Sequence, residues 1–120
     1  MPRFRPHEHL RRPNEFRRVY DRRRSVSDDR IIVYACENGL PHNRLGLSVS
    51  RKVGSAVIRN RFRRLYREAY RLTREEIPTG MDLVLIPRCS TVPTLAELIE
   101  SLKKLVPMAA GKLTREGKSS

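Results

Sequence analysis

Apolar residues along the chain recur at helical spacing in three places and at strand spacing in three others. Phe16, Val19 and Tyr20 stand three and four residues apart, with Arg17 and Arg18 facing the other way. Behind Pro13-Asn14 this predicts a short amphipathic helix. Arg22 to Ser27 reads as a basic turn running into a short edge strand. Ile31 to Cys36 (IIVYAC) is apolar and β-branched, which predicts a strand. Asn38-Gly39 then gives a hairpin signal within a longer loop, and Arg44 to Ser50 alternates as the return strand, with Leu45, Leu47 and Val49 on one side.

Gly54 breaks the chain, and Ser55 is placed to cap the next helix. At ~100° per residue from Arg59, Phe62, Leu65, Tyr66, Ala69 and Ile58 fall between about 240° and 340°. Arg59, Arg63, Arg67, Arg71 and Arg64 fall between about 0° and 140°, with Asn60 inside that arc. One stripe is apolar and the opposite one is cationic. Pro78 and Gly80 end this region, and Asp82 to Pro87 (DLVLIP) predicts a fully apolar strand. Thr94 and Glu97 form a capping box for a last helix. Its stripe is Leu95, Leu98, Ile99, Leu102, Leu105 and Val106, and Pro107 is expected to stop it.

The resulting order is α-β-β-β-α-β-α. A single α+β domain over residues 13–110 buries these stripes most economically, as one sheet covered by helices. Residues 1–12 are expected to be a flexible basic arm and residues 111–120 a polar tail. There is no internal repeat and no linker long enough to divide the chain.

Charge sharpens this picture. Lys plus Arg is 26 against 13 Asp plus Glu, a formal net charge of +13, and 21 of the 26 cations are arginine. Arg51, Lys52, Arg59, Arg61, Arg63, Arg64 and Arg67 occur with no acidic residue between them. Such a surface repels itself unless a polyanion covers it. Arginine's planar fork grips phosphate bidentately and stacks on bases. A nucleic acid is therefore the expected partner. No apolar run approaches the ~20 residues of a membrane span, and the start of the chain lacks an apolar signal core, so a cytoplasmic protein with no membrane partner is expected.

The chemistry of the remaining residues is sparse. Cys36 and Cys89 each end an apolar run and read as buried free thiols. His7, His9 and His42 lie in polar segments, and His7-Glu8-His9 lacks the spacing of a catalytic helix motif, so no metal site is expected in the protein. Asp28-Asp29 and Glu75-Glu76 read as solvated charge. No nucleophile–base–orienter set appears, so no catalytic residue is assigned. Phe16, Tyr20 and Tyr34 either stack on the bases of a single strand or anchor the first helix to the core. Phe62 and Tyr66 read as core.

The stretch LGLSVSRKVGSAVIRNRFRRLYREAY, Leu45 to Tyr70, closely resembles the protein component of bacterial ribonuclease P. The family pattern is a Gly-leu-ser-val-ser strand, a Lys-x-x-Gly-x-Ala-val turn, then Arg-Asn-Arg and a basic pair. NEFRRVY (Asn14 to Tyr20) and IIVYA (Ile31 to Ala35) fit as well, and MDLVLIPR with the last helix fits more loosely. The resemblance implies a partnership with a large catalytic RNA (an M1-type RNA). That RNA, with bound Mg²⁺, removes the 5′ leader of precursor tRNA, while the protein binds the leader.

The resemblance carries Arg59, Asn60 and Arg61 onto the family's Arg-Asn-Arg signature. It has Arg63, Arg64 and Arg67 continue the same helix towards RNA and places Phe16, Tyr20 and Tyr34 in the leader cleft; Arg51, Lys52 and Arg71 join the RNA-binding set from the charge pattern of the arginine helix. It implies a fold like the second domain of ribosomal protein S5, with a left-handed β-α-β crossover, and a monomer bound once per RNA. In the family a glycine often follows the first helix; here Asp21-Arg22-Arg23-Arg24 occupies that region. A structural ribosomal protein of similar fold is the alternative, distinguished by a long basic tail in place of the signature and the aromatic cleft. A DNA-binding regulator is a third reading, unsupported by any helix-turn-helix or dimerisation pattern.

Overall fold

The computed structural model describes residues 8–118, with side chains through residue 114. The elements are α1 (Pro13–Asp21), β1 (Ser25–Ser27), β2 (Ile31–Glu37), β3 (Arg44–Leu47), a 3-10 turn (Arg51–Val53), α2 (Ala56–Thr73), β4 (Met81–Pro87) and α3 (Leu95–Lys118). This is the mixed α/β order expected. Ser55 caps α2 by accepting from Ile58 N–H at 3.4 Å. Thr94 and Glu97 satisfy each other's backbone N–H at 2.9 and 3.1 Å, completing the capping box of α3.

The sheet order is β1-β2-β4-β3. β2 and β3 are therefore not a hairpin. β4 lies between them, antiparallel to β2 and parallel to β3. Burial explains the exchange. β4 is apolar on both faces: Met81, Leu83 and Leu85 join the main core, and Val84 and Ile86 join a second cluster. A strand buried on both sides belongs in the middle of a sheet. β3 carries Arg44 and a glycine and takes the edge. It also ends at Leu47, earlier than expected, although Ser48 N–H still donates to Leu85 C=O at 3.0 Å.

α2 and α3 cover one face with Phe62, Tyr66, Ala69, Leu98, Leu102 and Leu105, all essentially buried. α1 covers the other face through Val19. Among the described residues no helix is long and apolar enough to cross a membrane.

Some local expectations change, and one turn takes an unusual conformation. Met1 to His7 lie outside the described residues, but Glu8 and Leu10 of the arm are packed, while Arg11 and Arg12 stay exposed. Leu10 is buried and its N–H donates to Leu45 C=O at 2.9 Å, while buried Glu8 pairs with Arg74 at 2.5 Å. This segment covers the free edge of β3, which would otherwise offer unpaired backbone groups. Pro107 does not stop α3, which continues to Lys118. Ala109 and Leu113, beyond the proline, are buried in the main core, and that burial offsets the missing backbone hydrogen bond. The core thus extends past residue 110. Cys36 is buried but Cys89 is exposed. Finally, Arg23 has φ 57°, the left-handed conformation that a glycine after α1 would adopt freely.

Candidate nucleic-acid interface

α1 crosses one row of the sheet. Tyr34, Val84 and Gly46 are in register across β2, β4 and β3. Phe16 lies over Gly46. Tyr20, one turn later, meets Tyr34 edge-on, with ring centroids 5.2 Å apart and planes at 85°. Phe16, Tyr20, Tyr34 and Ile86 are each only partly buried against Val19, Val84, Leu10 and Cys36. Anchoring and exposure are therefore not exclusive for these rings: one side packs and the rest stays open. Phe62 and Tyr66, by contrast, are wholly core.

A buried charge cluster fixes α1 in this position. The Asp82 side chain is fully buried on the α1 face of β4. It accepts from Arg44 Nε at 2.8 Å and Nη2 at 2.7 Å, from Asn38 Nδ2 at 3.0 Å, and from Arg18 Nη2 of α1. Arg44 also pairs with Glu15 at 3.1 Å. Glu15 in turn accepts from the Arg11 and Arg12 backbone N–H groups at 2.9 Å, and these bonds hold its carboxyl below the usual range. Burial alone would raise the pKa of Asp82. The Arg44 and Asn38 hydrogen bonds and the two guanidinium charges outweigh it, so the net direction is down. At the end of α1, Arg22 grips Glu37 through two bonds of 3.0 and 3.1 Å.

On α2 the arginines sort differently. Arg71 is bound bidentately to Glu68 at 2.8 and 3.0 Å, and Arg63 donates to Asn60 Oδ1 at 3.1 Å. Arg59, Arg61, Arg64 and Arg67 have no carboxylate partner among the described residues. Arg59 is half-buried, and its Nε is buried with no hydrogen-bond acceptor. A buried donor left open in this way costs free energy that an incoming acceptor would recover. Asn60, Arg61, Arg64 and Arg67 are exposed, as are Arg51 and Lys52 in the turn before the helix.

His9 joins this surface. With Arg64, Arg67, Glu68 and Arg71 it lines an open groove of about 450 Å³. Burial, then the Arg11 and Arg67 charges, lower the pKa of His9, which keeps the ring neutral near pH 7. On the other side of the Arg64–Glu68 ridge, Arg61, Leu65, Val92 and Pro93 line a second recess.

The acidic pairs are structural or solvated. Asp28 accepts from Ser101 Oγ at 2.6 Å and from the Arg30 and Ile31 backbone, pinning the β1–β2 turn to α3. Glu75 and Glu76 are exposed, with Glu76 paired to Lys103 at 2.9 Å. Among the described residues no group of three His, Cys, Asp or Glu converges as metal ligands do. The arginine face of α2 is the wrong sign for a divalent cation and the right one for its polyanionic host.

Neither Asp82, Gly46, His9 nor the Val92–Pro93 segment was legible as part of a site. Asp82 is a single acid opening an apolar strand, His9 lies in a polar stretch, and all four act through long-range contacts. The only local signal was Gly46 inside a strand pattern, which marks a close approach.

A charged helix face open to phosphate, with half-open aromatics on the opposite face of the sheet, defines a small RNA-binding protein. The Ribonuclease P family model matches residues 4–110. The "Ribonuclease P protein component" of Alkaliphilus oremlandii is 42% identical over 92 residues, covering 77% of this chain and 81% of that one. The protein of the same name from Thermoanaerobacter is 40% identical over 106 residues, covering 85% and 91%. Among solved structures, the ribonuclease P protein of Thermotoga maritima aligns with TM-score 0.77 and 31% identity over 84% of this chain and 96% of that one. That of Staphylococcus aureus aligns with TM-score 0.74 and 32% identity over 85% and 94%. The chain belongs to the ribonuclease P protein family. It is the RNA-binding subunit that assists the catalytic RNA in removing the 5′ leader from precursor tRNA.

Proposed function

We propose that two surfaces divide the work. The α2 face, with Arg59, Asn60, Arg61, Arg63, Arg64 and Arg67, together with Arg51 and Lys52, binds the catalytic RNA. The α1 cleft, with Phe16, Tyr20 and Tyr34, receives the leader as a single strand. The RNA performs the hydrolysis with Mg²⁺ held mainly by its own phosphates, and the protein acts as a cytoplasmic monomer, one per RNA. Arg71, held by Glu68 through Nε and Nη2, contributes to RNA binding through the N–H donors that the pair leaves free. The β3–α2–β4 unit is the left-handed crossover of the second domain of ribosomal protein S5, against the usual hand of such units.

One observation carries the reading. The chain's arginines separate into a set paired with carboxylates, exemplified by Arg18, Arg44 and Arg74, and an outward set on α2 with no carboxylate partner among the described residues. The first set builds the fold and the second is left for a polyanion. Reconstitution tests it. Protein freed of RNA should not process precursor tRNA, and protein with its cognate catalytic RNA should do so at low Mg²⁺. Cleavage by the RNA-free protein, or no stimulation of the RNA, would sink the proposal.

A further inference from the structure

The recess between α2 and the segment after β4 is not explained by phosphate binding. Its floor is apolar: Leu65, partly buried against the main core, with Val92 beside it, and Pro93. Its rim is charged: Arg61 and Arg64 on one side of the helix, and Glu68 one turn beyond Arg64. The space is about 350 Å³, at the small end of the ~300–1,000 Å³ typical of ligand sites, and it opens to solvent. A phosphate gains nothing from an apolar floor, and a flexible aliphatic chain gains nothing from guanidinium planes. A flat heterocycle gains from both.

We propose that this recess receives one unpaired nucleobase of the catalytic RNA. The inference rests on α2 being the RNA-facing helix and adds a base-specific contact to it. Arg61 and Arg64 draw the backbone to the rim, which brings nucleotides to the mouth of the recess. A base within a helix is already stacked, so only a bulged or looped-out base can enter. Once inside, its faces meet Leu65, Val92 and Pro93, and a guanidinium closes over it by stacking.

Glu68 gives the site a preference. Its carboxylate is held below the usual range by the Arg71 hydrogen bonds, so it is ionised at neutral pH and accepts only. Arg71 occupies one acceptor position on each oxygen, at 2.8 and 3.0 Å, and leaves another on each. A base presenting an exocyclic amine can donate to it. Uracil presents two carbonyls beside its single N–H and is disfavoured. The preferred occupant is therefore adenine, cytosine or guanine.

The test uses the whole protein and its cognate catalytic RNA. A Val92→Ala, Pro93→Ala double variant and a separate Leu65→Ala variant are titrated across salt, with Arg61→Ala as the electrostatic control. Base-specific chemical probing locates the nucleotide that wild-type protein protects. The double variant, confined to a surface segment, keeps the comparison valid if Leu65→Ala fails to fold. The expected result is an affinity loss of about five- to a hundredfold, the range of one missing stack. The salt slope should stay unchanged, and one amino-bearing unpaired base should become reactive. Removing that base from the RNA should weaken wild-type binding equally and make the protein variants silent.

Unchanged affinity and footprint in the double variant, with Arg61→Ala still lowering the salt slope, overturns the base pocket and leaves the RNA-facing helix standing. A silent Arg61→Ala, with all apolar variants silent too, removes both. A change confined to self-association assigns the recess to a second copy of the chain and also overturns the proposal.

Discussion

Gly46 lies directly beneath the ring of Phe16: a Cβ at Gly46 would stand 2.6 Å from Phe16 Cε1 and 2.7 Å from Cζ. The glycine is needed for space, since its backbone has no left-handed φ. Only hydrogen at this position lets α1 settle onto the row Gly46–Val84–Tyr34, and that depth places Phe16 and Tyr20 beside the sheet.

Gly46→Ala should therefore lift or tilt α1. Overpacking of this kind costs about 1–3 kcal/mol. Urea unfolding should show that loss. Binding of precursor tRNA to the holoenzyme should weaken more than binding of mature tRNA. Phe16→Ala removes the obstructing ring, so the two substitutions together should destabilise by less than their sum. Strict additivity would show that the ring does not press on residue 46.

The pairing of Arg18 with Asp82 gives a second handle on the same helix. Asp82→Asn leaves Arg18, nearly half exposed, and Arg44, still paired with Glu15, facing a neutral amide, so the loss at neutral pH should fall short of the ~3–5 kcal/mol of a wholly buried pair and lie at about 1–3 kcal/mol. The sign of the pH dependence follows from the lowered Asp82 pKa. A carboxyl depressed on folding stabilises above its unfolded value of about 3.9, and the contribution fades as pH falls through the folded value. The gap between wild type and Asp82→Asn should thus be widest near neutral pH and narrow below about pH 4. A gap independent of pH down to full protonation would mean that Asp82 acts by shape alone.

Most elements of this fold were legible because their signals are local. Ser55, the Thr94–Glu97 box and the two stripes of α2 depend on residues within a few turns of each other. The strand order was not. Asn38-Gly39 is a sound turn signal, and its failure as a hairpin follows from β4, which is distant in sequence and apolar enough to claim the centre. Pro107 misled for a similar reason: a local breaker was overridden by the distant burial of Ala109 and Leu113. The candidate interface divides along the same line. The outward arginines of α2 were readable from periodicity, but which arginines face outward unpaired was not. Arg18 and Arg44 look no different in sequence from Arg61, and only the fold sets Asp82 between them.

That sorting predicts distinct mutant behaviour. Arg61→Ala should leave thermal unfolding unchanged and lower the affinity for the catalytic RNA. The slope of log K against log salt should fall by about 0.7–0.9 for each phosphate that the variant no longer neutralises. Arg59→Ala should do the same and also remove the buried, acceptorless Nε, so its stability should be equal to wild type or slightly higher. Arg44→Ala should behave oppositely, with a large stability loss and little change in slope for whatever protein remains folded. Equal slopes for wild type and both α2 variants would take Arg59 and Arg61 out of the interface.

Tyr34 and Tyr20 meet edge-on at 5.2 Å, and both remain partly exposed beside Phe16. If single-stranded leader stacks there, Tyr34→Ala and Phe16→Ala should each weaken precursor binding by roughly 1–3 kcal/mol while mature tRNA, which has no leader, binds as before. Both substitutions also remove packing, so thermal unfolding is measured beside binding. A precursor-specific loss at temperatures where each variant is folded supports the cleft. Tyr34→Phe keeps the ring and its edge-on packing, so it should bind precursor like wild type and separate stacking from any role of the hydroxyl. Equal losses for precursor and mature tRNA in both alanine variants would reduce these rings to anchors of α1 and leave the α2 face as the RNA-binding surface.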